Sequence, residues 1–173
     1  MKKIIINEYN LRAQDLDYEV IRVKGLIVNS QNQILMEFNN NTYQFPGGHL
    51  NENEKLEEAL LREIREETGI TIKELDGPFM QIVTYDKNYF GTGKKVCSSI
   101  FYYRVLCDDI PDFEKTDLDE LERLSEFGLR YVNLRELESF LKGCLENGNI
   151  DKNIMREMSL VLDEYNNLYG GLK

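Results

Sequence analysis

The chain has little cysteine, a single histidine, no tryptophan and no long apolar run, and each scarcity closes off a class of protein. Cys97, Cys107 and Cys144 are odd in number and lack a C-x-x-C spacing. They therefore indicate neither a disulfide framework nor a zinc site, and read as small core residues or idle thiols. No stretch approaches the roughly 18 consecutive apolar residues of a membrane span. The start, Met1-Lys2-Lys3-Ile4-Ile5-Ile6, reaches Asn7 too soon for the core of a signal peptide. A soluble, cytoplasmic protein without membrane contact is expected. Lysine and arginine form no stripe to offset a net charge of −10, so a long nucleic acid is not an expected partner.

What is present suits one globular domain. The 173 residues are 42% apolar and 30% charged, enough to bury a core. No internal repeat or low-complexity linker divides them, which predicts a single domain over 1–173, with its core at about 20–145. Residues 20–29 alternate as a strand, 30–32 turn, and 33–38 return as its hairpin partner. Tyr43-Gln44-Phe45 reads as a short strand stopped by Pro46, and Gly47-Gly48 frees the backbone for a sharp loop. A helix follows, with Asn51 as its expected cap, Glu54 in the capping-box position and Gly69 as its left-handed terminus.

Further strands are expected near 70–74, 79–85 and 95–106, the last two joined by a loop with Gly91 and Gly93. The acidic stretch 107–122 reads as surface loop before a strand near 129–132. Two helices close the chain, one from Asn133 with Glu136 in its capping box, the other at about 151–168. The latter carries Ile154, Met158, Val161, Leu162 and Tyr165 at helical spacing. The order predicts an α/β fold, a mixed sheet with helices on both faces.

The charges between Gly48 and Ile70 are not equivalent. At about 100° per residue, with Leu56 at zero, Ala59, Leu60 and Ile64 define an apolar stripe. Glu63 and Glu67 lie on that stripe and Glu66 at its edge, while Lys55, Glu58, Arg62 and Arg65 point outward. Carboxylates aligned with core residues face desolvation and mutual repulsion, and a bound cation would answer both. Glu57 and Glu58 read instead as an ordinary solvated face.

The same residues, Gly48, Glu54, Arg62, Glu63, Ile64, Glu66, Glu67, Gly69 and Ile70, fill every fixed position of G-x5-E-x7-R-E-U-x-E-E-x-G-U, where U is aliphatic. In this the chain resembles the Nudix hydrolases. The resemblance implies that family's α/β/α sandwich around a central mixed β-sheet, over roughly residues 20–145. It also implies Mg2+-dependent attack of water on a diphosphate linkage of a small nucleoside diphosphate derivative, with Mn2+ as a substitute. Glu63, Glu66, Glu67 and the Gly48 carbonyl would be the metal ligands, hard oxygen donors of the kind magnesium prefers. Glu54 and Arg62 would orient them by ion pairing. The proton acceptor would be Glu63 or a glutamate outside the motif, for which Glu126 is the candidate and Glu120 and Glu122 its competitors.

Substrate contacts fall outside the motif. Arg22 and Lys24 share one strand face and suit a phosphate or a base, though a solvated strand face is equally open. His49 occupies a variable motif position and reads as a loop residue touching phosphate rather than as a catalyst. Tyr43, Phe45, Tyr85, Tyr89 and Phe90 are candidates for stacking on a base, yet aromatic residues on strands are more often core. Pro78 falls too early to match the proline that marks many ADP-ribose-cleaving relatives. Tyr85 stands near the place of a tyrosine found in cleavers of dinucleoside polyphosphates. Two other classes stay open: a nucleotide-binding regulator without turnover, against which the complete glutamate set counts, and the isoprenoid isomerase branch, which the lack of tryptophan and of an activated cysteine disfavours. A monomer or homodimer is compatible with everything above.

Overall fold

The computed structural model describes residues 1–170. Its elements run β1 (Lys2–Ile6), β2 (Tyr18–Val28), β3 (Gln33–Asn39), β4 (Thr42–Gln44), α1 (Leu56–Thr68), β5 (Met80–Asp86), β6 (Val96–Leu106), α2 (Glu120–Leu124), β7 (Gly128–Asn133), α3 (Leu137–Glu146) and α4 (Lys152–Tyr169). The seven strands form one mixed sheet in the order β1-β5-β6-β2-β3-β4, with β7 also paired to β3. The β2/β6 and β1/β5 pairings are parallel and the others antiparallel.

Period-two alternation distributes the strands' side chains to two cores. Val23, Ile27, Leu35, Tyr103 and Val105 meet Ala59, Leu60 and Ile64 of α1. On the opposite face Leu26, Met36, Ile82, Ile100 and Tyr102 meet Leu141 of α3 and Met158, Val161, Leu162 and Tyr165 of α4. Gly25 lies under α1, where a Cβ would stand only 3.2 Å from Ile64 and 3.4 Å from Leu60. Leu60 is fully buried at this contact. Leu60→Ala is expected to cost about 3 kcal/mol through lost transfer energy and a residual cavity, read as a lowered urea midpoint at unchanged slope.

The feature that positions the site is the parting of β2 and β3. They pair only at Val28 and Ile34, near their shared turn. Beyond that β3 turns to β4 and β7, and residues 46–50 take the vacated place beside β2. Gly25 N–H donates to Pro46 O (2.9 Å), Val23 N–H to Gly48 O (3.0 Å) and Leu50 N–H to Ile21 O (3.0 Å). The Pro-Gly-Gly loop is thus hydrogen-bonded like a strand while its glycines approach the backbone of β2.

Several local expectations are corrected. Helix α1 begins at Leu56 rather than after Asn51, because Asn53 adopts a left-handed φ of 64° and residues 51–54 close a turn. Glu54 still caps the Asn51 N–H (3.0 Å), the local half of the expected box. Residues 70–74 form no strand; Ile70 and the partly buried Ile72 pack singly against the α1 core. Helix α3 starts at Leu137, since Asn133 ends β7 and its side chain accepts from Arg135 N–H. Met1–Ile6, considered only as a leader, supplies edge strand β1. The acidic stretch is stapled across the end of α1, with Asp112 N–H donating to Thr68 O (2.9 Å) and Asp117 N–H to Glu66 O (2.8 Å), and it carries α2 toward the site. Among the described residues no helix is long and apolar enough to cross a membrane.

Candidate active site

Helix α1 turns Glu67 inward, where only 3% of the residue is exposed. Its Oε2 accepts the Gly47 N–H at 2.7 Å, so the loop and the helix share this carboxylate. Glu63 lies directly beneath Gly48: a Cβ at that glycine would stand 2.5 Å from Glu63 Oε2. The Glu66 side chain is more exposed than either, the order the helical wheel predicts.

Arg62 ties the set together, with all five of its N–H groups engaged. Nε and Nη2 grip Glu54 at 2.8 and 2.9 Å, Nη1 reaches Glu63 (2.8 Å) and Glu66 (3.1 Å), and Nη2 also donates to His49 O (3.0 Å). Arg62→Ala would strand three carboxylates in a half-buried setting and is expected to cost about 2 kcal/mol by urea denaturation. Arg62→Lys should recover less than half of that loss, because an ammonium offers three donors where the fork offers five.

A second acidic group was not foreseen. Glu37 on β3 is fully buried; its Oε1 accepts from Gln44 Nε2 (2.9 Å), and Gln44 Oε1 accepts from Lys24 Nζ (3.1 Å). Its Oε2 has no hydrogen-bond partner. The signal available in the sequence was its period-two place beside inward-facing Leu35. Burial pushes the Glu67 carboxyl well above its ordinary range, and Glu37 adds to this while Lys24 opposes it. Burial likewise raises Glu63, against the pull of Arg62. The site therefore carries more negative charge than its cations balance, and its donors are the hard oxygens a divalent ion takes, so the residues fit such an ion. Among the described residues no three acidic, histidine or cysteine side chains already converge as a closed ligand cluster.

The remaining candidates divide clearly. Arg22, Lys24, Phe45 and Tyr85 line one cavity of about 690 Å³ between the sheet and α4. His49 is joined to it through Arg22, whose Nε donates to His49 Nε2 (3.0 Å) while Nη2 donates to Tyr89 Oη (2.9 Å). Partial burial, then the charges of Arg22 and Lys24, lower His49 to about 4, so it serves as a neutral acceptor near pH 7. Phe45 is buried, a core residue that reaches the cavity wall. Glu126 is exposed beyond α2. Of the three late glutamates it is Glu122 that is half-buried in the field of the site, raised by burial with Glu37 and Glu63 adding to the effect. The three cysteines are free thiols, Cys97 and Cys144 buried.

The sequence profile of the NUDIX domain matches residues 20–154, most of the chain and all of this site. The chain belongs to the Nudix family. Among curated relatives this Nudix chain is similar to the RNA pyrophosphohydrolase of Histophilus somni (strain 2336), 40% identical over 53 residues, which cover 30% of this chain and 28% of that protein. It is also similar to the RNA pyrophosphohydrolase of Sulfurovum sp. (strain NBC37-1), 30% identical over 118 residues, covering 59% and 75%. The match thus spans little more than a quarter of the first relative's length. Two solved structures share the Nudix fold. The MutT protein from Methanosarcina mazei Go1 is 21% identical at a TM-score of 0.51, covering 82% of this chain and 93% of that one. The bifunctional NMN adenylyltransferase/ADP ribose pyrophosphatase from Francisella tularensis is 17% identical at 0.54, covering 84% and 41%. At these identities the likeness is one of fold.

Proposed function

We propose that this chain hydrolyses a diphosphate linkage in a nucleoside diphosphate derivative, with Mg2+ bound and Mn2+ an acceptable substitute. The observation that carries this reading is the inward pair Glu63 and Glu67, under-neutralised and set beside a cavity that presents Arg22 and Lys24. Glu63, Glu66, Glu67 and the Gly48 carbonyl would hold the ion. Bound there, it would neutralise phosphoryl charge and favour ionisation of the attacking water. The chain's own groups do the rest. Arg62 and Glu54 keep the ligand carboxylates in one orientation. Arg22 and Lys24 draw the phosphates inward, with neutral His49 fixing the Arg22 guanidinium. Glu122 takes the role of outside proton acceptor, since its raised carboxyl suits a base working near neutrality better than the exposed Glu126 does.

The substrate reading is a small nucleotide. The names of the curated relatives raise the 5′ end of RNA as a second reading, but a net charge of −10 without a basic stripe favours the smaller ligand. The test is incubation with Mg2+ and a panel of deoxynucleoside triphosphates, ADP-ribose, nucleotide sugars, dinucleoside polyphosphates and 5′-triphosphorylated RNA. Release of a nucleoside monophosphate or of pyrophosphate from at least one small nucleotide is expected. An intact panel, with one nucleotide raising the melting temperature, would replace this reading with that of a binding regulator. A cytoplasmic location and a monomeric or homodimeric state are part of the proposal.

A further inference from the structure

Helix α4 carries its own misplaced carboxylate. Glu157 stands one turn after Ile154 and one turn before Val161, so helical geometry puts it on the stripe that packs against the sheet. Its carboxylate accepts the hydroxyl of Tyr102, a β6 residue only 1% exposed. It forms no ion pair among the described residues. A carboxylate set into a helix's packing face, with a fully buried tyrosine to orient it, is a costly arrangement that packing alone does not require. Burial raises this carboxyl, Asp151 adds to that, and Tyr102, Lys24 and Arg22 oppose it.

Glu157 lines the same 690 Å³ cavity as Arg22 and Lys24, a volume suited to a nucleoside-sized ligand. The cavity's charges have opposite senses. Arg22 is bonded to His49 beside Gly48, and Lys24 is linked through Gln44 to Glu37, so the cations mark the end that adjoins the α1 glutamates. An anionic phosphate is repelled from Glu157, which needs a ligand part that offers hydrogen. At the rim, the loop between β5 and β6 holds Phe90 72% exposed with a left-handed φ of 46°, its ring 5.7 Å from the Arg22 guanidinium. An exposed aromatic ring kept in a strained backbone offers a stacking surface.

We propose that Glu157 reads the nucleobase: its carboxylate accepts the exocyclic amine of adenine or cytosine, and repels the carbonyl oxygen that hypoxanthine or uracil presents at the same position. This rests on the hydrolase reading above for the orientation of the ligand, phosphates toward α1. A carboxylate facing a carbonyl leaves both acceptors unpaired, which gives a sharper preference than a gain of one contact.

The test compares bases that differ only in amine against carbonyl. With the full chain and Mg2+, kcat/KM is measured for ATP against ITP and for CTP against UTP. In parallel, calorimetry gives the binding of AMP against IMP and of CMP against UMP. A preference of about tenfold or more for the amine is expected in at least one pair. In Glu157→Gln, whose amide still accepts from Tyr102 and can present either group, the preference should shrink to within about threefold. Equal use of both bases by the unaltered chain overturns the proposal, as does a preference that survives Glu157→Gln. With dATP added to the kinetic series, a preference for ATP over dATP that vanishes with Glu157→Gln overturns it too, since that would place a ribose hydroxyl against the carboxylate. Base discrimination in binding without cleavage leaves the base site standing and removes the hydrolase reading; cleavage without discrimination does the reverse.

Discussion

Glu67→Gln is expected to remove catalysis while making the metal-free protein more stable. The carboxylate is buried near Glu37 and its pKa is raised, so at neutral pH folding carries a group that is ionised in the unfolded chain into surroundings that disfavour the charge. Glutamine keeps an acceptor for the Gly47 N–H and removes the charge. A rise of a few degrees in melting temperature should follow in chelator, together with a loss of about a thousandfold or more in turnover. The sign with pH is fixed by the same shift. A carboxyl with a raised folded-state pKa binds protons more tightly folded than unfolded, so the metal-free chain should gain stability as pH falls from neutrality toward about 4.5. Glu67→Gln should flatten that slope. Added Mg2+ should raise the melting temperature of the unaltered chain and leave the variant nearly unmoved. A variant destabilised in chelator, yet still stabilised by Mg2+, would contradict both the site and its charge balance.

Gly47→Ala is expected to act on the fold itself. Gly47 has φ 127°, and an added Cβ would sit 2.3 Å from the carbonyl oxygen of Val23 and 3.0 Å from Lys24 Cα. Those are backbone atoms of a central strand and cannot swing aside. The cost should reach about 3 kcal/mol or more, equivalent to roughly 6–12 °C in melting temperature, and activity should fall with it because Gly47 N–H holds Glu67. Gly48→Ala provides the contrast. Its Cβ would meet the carboxylate of Glu63, the end of a flexible side chain. That variant should melt within a few degrees of the unaltered chain and lose turnover by displacing Glu63. The pair, compared by circular dichroism melts and by turnover, separates the loop's structural glycine from the one that makes room for a ligand.

What the sequence made legible was whatever a short window contains. Helix α1 announces Glu63 and Glu67 because helical periodicity compares residues within one stretch, and the same arithmetic places Arg62 opposite them. The fork of Arg62 then proves to be bent back over the helix to Glu54, a contact the spacing allowed. Lys24 is legible from its strand face, and Glu37 and Gln44 are cross-strand partners of the β3/β4 hairpin, but the meeting of Lys24 with that pair joins two strands that have parted, which no local pattern records. Spacing alone does not separate Glu122 from Glu126, because the field that Glu63 exerts on Glu122 comes from the acidic stretch being tied to the end of α1. Strand β1 escaped for a related reason: its strand partner, β5, is remote in sequence. Helix α4 is legible from its apolar positions, and Glu157 stands on that stripe as Glu63 and Glu67 stand on the stripe of α1.

The parting of β2 and β3 also orders events in time. Strand β2 finds its long parallel partner only in β6, so the chain must extend well past α1 before the sheet beneath that helix can close. Pairings between distant parallel segments are slow to form. Until β6 docks, the sheet beneath α1 is incomplete, and with it the burial that disfavours charge on Glu67. The pocket, one wall of which is α4, is therefore incomplete until that C-terminal helix has packed against the sheet.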